Sequence, residues 1–448
     1  MEVPYAVHLE DLDVSDATFA APDLTTFCRL DELGLVAVGQ RLEPRRAVVA
    51  CRVVEPDEWC HRCGQRGVLR DTVVRRLAHE PLGWRPTVLE VIVRRYRCCD
   101  CSHVWRQDTS KAAEPKARLS RRGLRWALEG IVVQHLTVAR VAEGLDVSWN
   151  TANDAVLAEG QRVLINDPGR FDGVTTIGVD EHVWRHTRRG DKYVTVIIDL
   201  TPARTNSGPV RLLDLVEGRS KSVFATWLAE RDQAWRDQVE VVAMDGFTGF
   251  KTATTEELPA AVAVMDPFHV VRLAGDALDK CRRRIQQTLH GHRGRKEDPL
   301  YAARRTLHTG TGLLTDKQRQ RLDALFAGDQ HLEVEVTWAC YQQMISAYRE
   351  PDRSRGRALM QQLITSLSHG VPAGLDELQT LGRTLKQRAA DILAYFDRPG
   401  TSNGPTEAIN GRLEHLRGSA LGFRNLTNYI ARSLLETGGF RPLLHPGL

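Results

Sequence analysis

No stretch of this sequence reaches the ~18–20 consecutive apolar residues that a membrane-spanning helix requires. A membrane partner is therefore not expected. The first residues are Met1, Glu2, Val3 and Pro4. They start acidic and carry no positive patch followed by an apolar run, so no secretory signal is expected. A cytoplasmic chain is expected. No G-x-x-x-x-G-K-[ST] phosphate-binding loop occurs, so chemistry driven by a nucleoside triphosphate is not expected. Charge of one sign is also scarce overall, with a formal net charge of +4 over 448 residues. The excess is unevenly spread, however. Residues 60–125 hold sixteen Lys/Arg against six Asp/Glu. A basic block of that density is the electrostatic footprint of a nucleic-acid binder. The length allows two to four domains, each with an ordinary core.

Nine cysteines are present, yet stable disulfides are rare in a cytoplasmic protein. Four of the nine form two C-x-x-C pairs, Cys60-His61-Arg62-Cys63 and Cys98-Cys99-Asp100-Cys101. A C-x-x-C turn aims two thiolates at one metal, and two such turns complete a tetrahedral Zn²⁺ site. Gly64 follows the first pair, where a turn residue fits. Alternating residues such as Val88-Leu89-Glu90-Val91-Ile92-Val93 predict strands that carry the second pair back to the first. The reading is a zinc ribbon with one structural ion on Cys60, Cys63, Cys98 and Cys101. Cys99 is a spare thiol, and His61 and His103 are nearby alternatives. Cys28, Cys51, Cys281 and Cys340 are scattered and read as core residues.

Residues 119–160 read as helices. Leu124, Leu128, Ile131 and Val132 recur at helical spacing after Ser120. Thr137 is placed to cap a second helix that ends near Gly144, and Ser148 to cap a third. A short helix, a brief turn and a capped helix match a helix-turn-helix. Ser148, Trp149, Asn150, Thr151 and Asn153 are then candidates for DNA contact, with Arg121, Arg122 and Arg125 beside them. An ordinary helical hairpin gives the same pattern; the basic block and the cysteine pairs favour DNA.

Beyond Asn166-Asp167-Pro168-Gly169 the pattern turns strand-like. Strands are predicted over 176–180, 193–199 and 210–216, with a hairpin turn at Arg188-Arg189-Gly190-Asp191. A Ser-capped helix over 220–230 follows. Two apolar strands, 239–245 and 262–266, each end in Asp. Three antiparallel strands followed by alternating helix and strand is the order of a ribonuclease-H-like fold. Asp180 and Asp245 would meet there on adjacent strands. A Glu from a later helix would complete a three-carboxylate centre for two Mg²⁺ or Mn²⁺ ions. Glu407, behind the helix-starting Pro405, is one candidate, and it shares a helix face with Asn410. Glu414 rivals it, and Asp199, Asp266 and Glu181 rival the two Asp. An Asp or Glu at an element's end is also a common cap or turn residue.

The ordered set Cys60-x-x-Cys63, Cys98-x-x-Cys101, the helix pair, Gly178-Val179-Asp180-Glu181, Met244-Asp245, Asp266-Pro267-Phe268-His269-Val270 and Ser402-Asn403-Gly404-Pro405-Thr406-Glu407-Ala408-Ile409-Asn410 resembles the DDE transposases of bacterial insertion sequences, the ISL3 family most closely. Gly422-Phe423-Arg424-Asn425 resembles it too. The resemblance runs from about Leu24 onward. It implies Asp180, Asp245 and Glu407 as the catalytic triad. It also implies double-stranded DNA as partner, both the element's terminal inverted repeats and the target. A homodimer or larger assembly on DNA, associated with the nucleoid, is implied as well. Where that family often carries Lys and Arg on the Glu-bearing helix, this chain has Glu414 and Gly418; Arg412 and Arg417 are the available substitutes.

The expected architecture is a multidomain α+β chain. It comprises an N-terminal arm (1–45), a zinc-ribbon module (46–112), a helix-turn-helix domain (113–166) and a ribonuclease-H-like α/β catalytic core (167–269 and 401–448). A large helical insertion (270–400) interrupts that core. The insertion carries two basic runs, at 280–284 and 293–296, that read equally as phosphate contacts or as a solvated face. Two other functions stay open at this point. A transcription regulator without catalysis leaves Asp180 and Asp245 without a role. A structure-specific nuclease of the same fold would cut without joining.

Overall fold

The computed structural model describes residues 22–187 and 192–444, and the expected turn at 188–191 lies outside them. The chain divides into two compact units, Met1–Val156 and Leu157–Leu448.

The first unit is built on a five-stranded sheet. Its strands are β1 (Leu35–Leu42), β2 (Ala47–Val53), β3 (Gly67–Leu82), β4 (Arg85–Cys98) and β5 (Val104–Arg106). The order is β1-β2-β4-β3, with β5 beside the end of β4. Only the β2–β4 pair is parallel. Along β4 the residues Thr87, Leu89, Val91 and Val93 are buried, the two-residue period of a strand with one face on a core. They pack with Leu35, Val49, Cys51 and Leu77. β3 and β4 form a long hairpin whose tip is Gly83-Trp84. Gly83 sits at φ +64, where glycine carries no steric penalty. The stretch before residue 46 thus supplies β1 to this sheet.

Three helices follow, Arg121–Val132, Val138–Leu145 and Trp149–Gly160. Ser120 caps the first by accepting from the Gly123 N–H, and its hydroxyl also bonds His79 Nδ1 at 2.8 Å on β3. Thr137 caps the second by accepting from the Arg140 N–H. That helix ends at Asp146 in the left-handed region. Ser148 accepts from the Thr151 N–H at 3.2 Å and so starts the third.

The second unit holds a mixed sheet. Its strands are β6 (Thr176–Val183), β7 (Tyr193–Asp199), β8 (Arg211–Glu217), β9 (Val241–Met244) and β10 (Val262–Met265). Their order is β10-β9-β6-β7-β8. β10, β9 and β6 are mutually parallel, whereas β6–β7 and β7–β8 are antiparallel. Alternate residues of β6 face opposite sides. Ile177 and Val179 enter a core with Phe224, Trp227 and Leu228 of the helix Lys221–Ala229 and Phe250 of the helix Thr248–Glu257. Gly178 faces the helix Gly404–Ser419. A Cβ there would lie 2.9 Å from Thr406 Oγ1, so only glycine permits that close approach. Between β10 and that helix lies a helical stretch. The helices Pro267–His290, Leu332–Arg349, Arg353–His369 and Asp376–Gln387 share one apolar core. The helix Ala389–Asp397 then packs Ala394 and Tyr395 against β9 and β10.

Candidate active site and metal centre

The hairpin register explains how two cysteine pairs far apart in sequence converge. Gly67, just after Cys63, lies opposite Cys98 at the foot of β3 and β4. Cys60 Sγ is 3.6 Å from Cys101 Sγ, and Cys63 Sγ is 3.4 Å from Cys98 Sγ. All four sulfurs lie within 4.8 Å of one another. Tetrahedral Zn²⁺ with Zn–S near 2.3 Å places sulfurs about 3.8 Å apart, so the donor set fits that ion. The N–H groups of Cys101 and Asp100 point at Cys98 Sγ, each at 3.4 Å. They pull the Cys98 thiol down to about 7 against its burial, toward the thiolate a metal needs. Gly64 stands at φ +75, as the turn after the first pair requires. Cys99 is exposed, and Cys28, Cys51 and Cys281 are buried in cores, with Cys340 half-buried.

In the helix pair, Ser148, Trp149 and Asn150 are exposed and Thr151 is half-buried. Asn153 is different. It is buried, and its amide donates to Asp154 at 3.2 Å, so it faces the protein rather than solvent. Arg121 pairs with Glu114, and Arg122 with Glu80 and Glu32. Arg125 pairs with Glu129 at 2.5 Å.

In the second unit the register of β6 and β9 sets the carboxylates. Val179 pairs with Met244, so the next residues stand side by side: Asp180 within β6 and Asp245 directly after the end of β9. Asp180 is buried. Its Oδ1 accepts from the Glu181 N–H at 2.8 Å and its Oδ2 from Asn410 Nδ2 at 3.0 Å. Burial, reinforced by the Asp245 charge, pushes its carboxyl up to about 6 although the Glu181 N–H opposes the shift. Asp245 accepts from the Phe247 N–H at 2.8 Å.

Glu407 stands in the first turn of the helix Gly404–Ser419 and is exposed. Three residues on, the same helix delivers Asn410 to Asp180. Ile409, Leu413 and Leu416 bury the opposite stripe. Among the described residues, only the four thiols bring three or more Cys, His, Asp or Glu ligand atoms within 4.8 Å of one another; Asp180, Asp245 and Glu407 stand further apart. The rival carboxylates have other partners. Asp199 accepts from the Thr201 N–H and from Arg211 Nε, both at 2.9 Å. Glu181 pairs with Arg219, and Glu414 with Arg417. Asp266 caps the helix Pro267–His290 and accepts at 2.7 Å from the Asn403 N–H, which ties the start of the Glu407 helix to the end of β10.

Three further side chains complete this place. A cavity of about 1100 Å³ is lined by Asp245, His269, Arg219 and Arg272, among others. His269 is held above its usual range by its bond to Asp266, with Asp245 and Asp180 adding their fields. Arg388, buried, donates to the Gly246 carbonyl at 3.1 Å and pairs with buried Asp391 at 2.6 Å. Arg388 lies 142 residues from Gly246, and nothing in the sequence signals that meeting. Helical spacing placed Asn410 on the Glu407 face but gave it no partner.

Acidic side chains at neighbouring positions of two parallel strands, with a Glu-bearing helix tied to one of them, form an all-oxygen donor set of the kind that suits hard divalent ions. A sequence model described as "Transposase", that of the ISL3-type DDE enzymes, matches residues 177–433. The chain belongs to this family of transposases. It is similar to the "Transposase for insertion sequence element IS1557" of Mycobacterium tuberculosis strains CDC 1551 / Oshkosh and ATCC 25618 / H37Rv. Each is 26% identical over 433 residues, covering 91% of this chain and 90% of the relative. Family members of this type use a divalent metal. No helix among the described residues is long and apolar enough to cross a membrane.

Proposed function

We propose that this transposase binds the terminal inverted repeats of its own insertion sequence, cuts a phosphodiester at the element's end and joins the freed end to target DNA. The observation that carries the reading is the side-by-side placement of Asp180, within β6, and Asp245, at the end of β9, with Asn410 of the Glu407 helix bonded to Asp180. The β10-β9-β6-β7-β8 order, three antiparallel strands flanked by two parallel ones, supports a ribonuclease-H-like core.

The donor set is all oxygen, which suits Mg²⁺ or Mn²⁺. Two ions about 4 Å apart, each with oxygens at roughly 2.1 Å, allow their outer ligands to stand up to about 8 Å apart. A three-carboxylate centre therefore does not need the mutual spacing that the thiols show. Asp180, Asp245 and Glu407 would hold the ions, which when bound activate the attacking oxygen and stabilise the leaving one. Asn410 and the Glu181 N–H fix the Asp180 carboxylate, and Asn403 with Asp266 fixes the helix that carries Glu407. Arg219 and Arg272, in the cavity beside Asp245, are placed to receive the scissile strand's phosphates.

The cysteine centre on Cys60, Cys63, Cys98 and Cys101, holding Zn²⁺, stiffens the foot of the β3–β4 hairpin. Ser148, Trp149, Asn150 and Thr151 at the start of the third helix read the repeats, supported by Arg121, Arg122 and Arg125. Residues 270–400 would form the insertion between Asp245 and Glu407, while the stretch before residue 46 belongs with the zinc-bearing sheet through β1 rather than standing apart as an arm. Two ends must be handled together, so the working form is a dimer or larger assembly on DNA.

The test mixes the full chain, Mg²⁺ and a duplex carrying the element's own end. Wild type should cut it and join the product to a second duplex, while Asp180→Asn binds the same duplex and does neither. Equal product from the two proteins would overturn the assignment. Cutting without joining of pre-cut ends would mark a nuclease.

A further inference from the structure

The helical stretch between β10 and the Glu407 helix carries a second basic site that the cutting chemistry does not use. The run at 280–284 divides when folded. Arg284 turns inward, with Nε 2.9 Å from Glu377 and Nη2 donating to the Gly374 carbonyl at 2.8 Å. Arg282 and Arg283 turn the other way, into a groove of about 500 Å³ that also takes Arg293, Tyr301, Arg304, Arg305 and His308. Five guanidinium groups meet one carboxylate there, that of Asp279.

The groove is organised in advance. Buried Arg282 is locked by Asp279 at 2.8 Å and by Gln286, and Arg283 shares that Asp. Arg304 lies 4.1 Å over the Tyr301 ring and donates to the Tyr301 carbonyl at 2.8 Å. Arg293 and Arg305 are exposed, and neither makes an ion pair among the described residues. Asp279 is thus engaged twice over while two cations stay uncompensated. A solvated helix face has no need to gather cations from three separate segments, since like charges repel. The gathering makes sense for a polyanion. All five cations are Arg, which binds phosphate through paired N–H groups and is more weakly hydrated than Lys.

We propose that this groove binds the sugar-phosphate backbone of double-stranded DNA without reading its sequence. The inference rests on the transposase reading and adds a DNA site to it. The helix Pro267–His290 sets the distance. His269, at the cutting site, and Asp279 and Arg283, at the groove, lie on this one helix. At 1.5 Å per residue the separation is about 15–21 Å. Along a duplex parallel to the helix that is roughly 4–6 base pairs at 3.4 Å each. The groove therefore grips phosphates about half a helical turn from the bond that is cut.

The experiment measures binding of the full chain to two duplexes, one carrying the element's end and one of random sequence, between 50 and 300 mM KCl. Wild type is compared with the double variant Arg293→Ala/Arg305→Ala; both side chains are exposed, so the fold should persist. Loss of two phosphate contacts should flatten the slope of log K against log salt by about 1.8. A flatter slope on both duplexes, or on one alone, supports the site, and the second outcome says which DNA occupies it. Unchanged slope and affinity on both would overturn the proposal. Asp180→Asn serves as the control and should keep the wild-type slope. If cutting proves independent of Asp180 while the double variant still flattens the slope, the catalytic reading falls and the groove stands.

Discussion

Asp180→Asn should make the metal-free protein more stable while abolishing its chemistry. Asp180 is 9% exposed, and burial together with the Asp245 charge raises its carboxyl from 3.8 to about 6. A raised acid titrates in the direction opposite to the usual surface carboxylate. Between pH ~4 and ~6 the unfolded chain has lost this proton while the folded one keeps it, so stability falls as pH rises through that window. Below pH ~4 there is no cost, and above ~6 the cost is complete. A shift of about two units corresponds to about 3 kcal/mol. An Asn carries no charge to desolvate, and it keeps the hydrogen bonds. Its carbonyl accepts from the Glu181 N–H, and its amide donates to Asn410 Oδ1 once the Asn410 amide turns over; that oxygen is otherwise buried without a partner. Urea unfolding in EDTA should therefore show the variant ahead by up to about 3 kcal/mol at pH 7.5 and level with wild type at pH 4. Mg²⁺ at 100 times its Kd should return about 2.7 kcal/mol to wild type and close most of the gap. A variant that is less stable than wild type at pH 7.5 in EDTA would refute the reasoning.

Three further outcomes are expected. Gly178→Ala would set a Cβ 2.8 Å from Ile198 Cγ1 and 2.9 Å from Thr406 Oγ1; it should cost about 1–3 kcal/mol and slow cutting far more than it weakens end binding, because the Glu407 helix must shift. Unchanged cutting rates would contradict the close-approach argument. Arg388→Ala leaves buried Asp391 with Lys251 alone and strips the Gly246 carbonyl of its donor. Chemical denaturation should register a loss of about 3 kcal/mol or more, and a loss under 1 would show that the pair carries little. Cys98→Ser removes one of four converging sulfurs; the purified protein should lose its zinc by elemental analysis and bind end DNA poorly, and full zinc content would remove the centre from that cysteine.

Much of the local structure follows from short-range rules. Ser120, Thr137 and Ser148 start helices where a hydroxyl before an apolar period predicts. The strands of the second unit fall where apolar runs stand. Two C-x-x-C pairs foretell a four-sulfur centre, because one turn fixes two thiols and the metal demands two more. Such features depend on neighbours within about one turn of chain, so the sequence displays them directly.

Long-range pairing decided the rest. Asn153 has the spacing of a groove contact, yet its face turns toward the protein. Asp180, Asp199, Asp266 and Glu181 are equivalent as letters; register alone brings Asp180 beside Asp245 and assigns Asp199, Asp266 and Glu181 to Arg211, Asn403 and Arg219. Arg388 reaches Gly246, Asn410 reaches Asp180, and the basic run splits between Glu377 and an open groove. Each of these is a contact across tens to hundreds of residues, created by burying apolar faces elsewhere. A side chain's own sequence neighbourhood holds no record of such a partner, because the packing of the intervening chain chooses it.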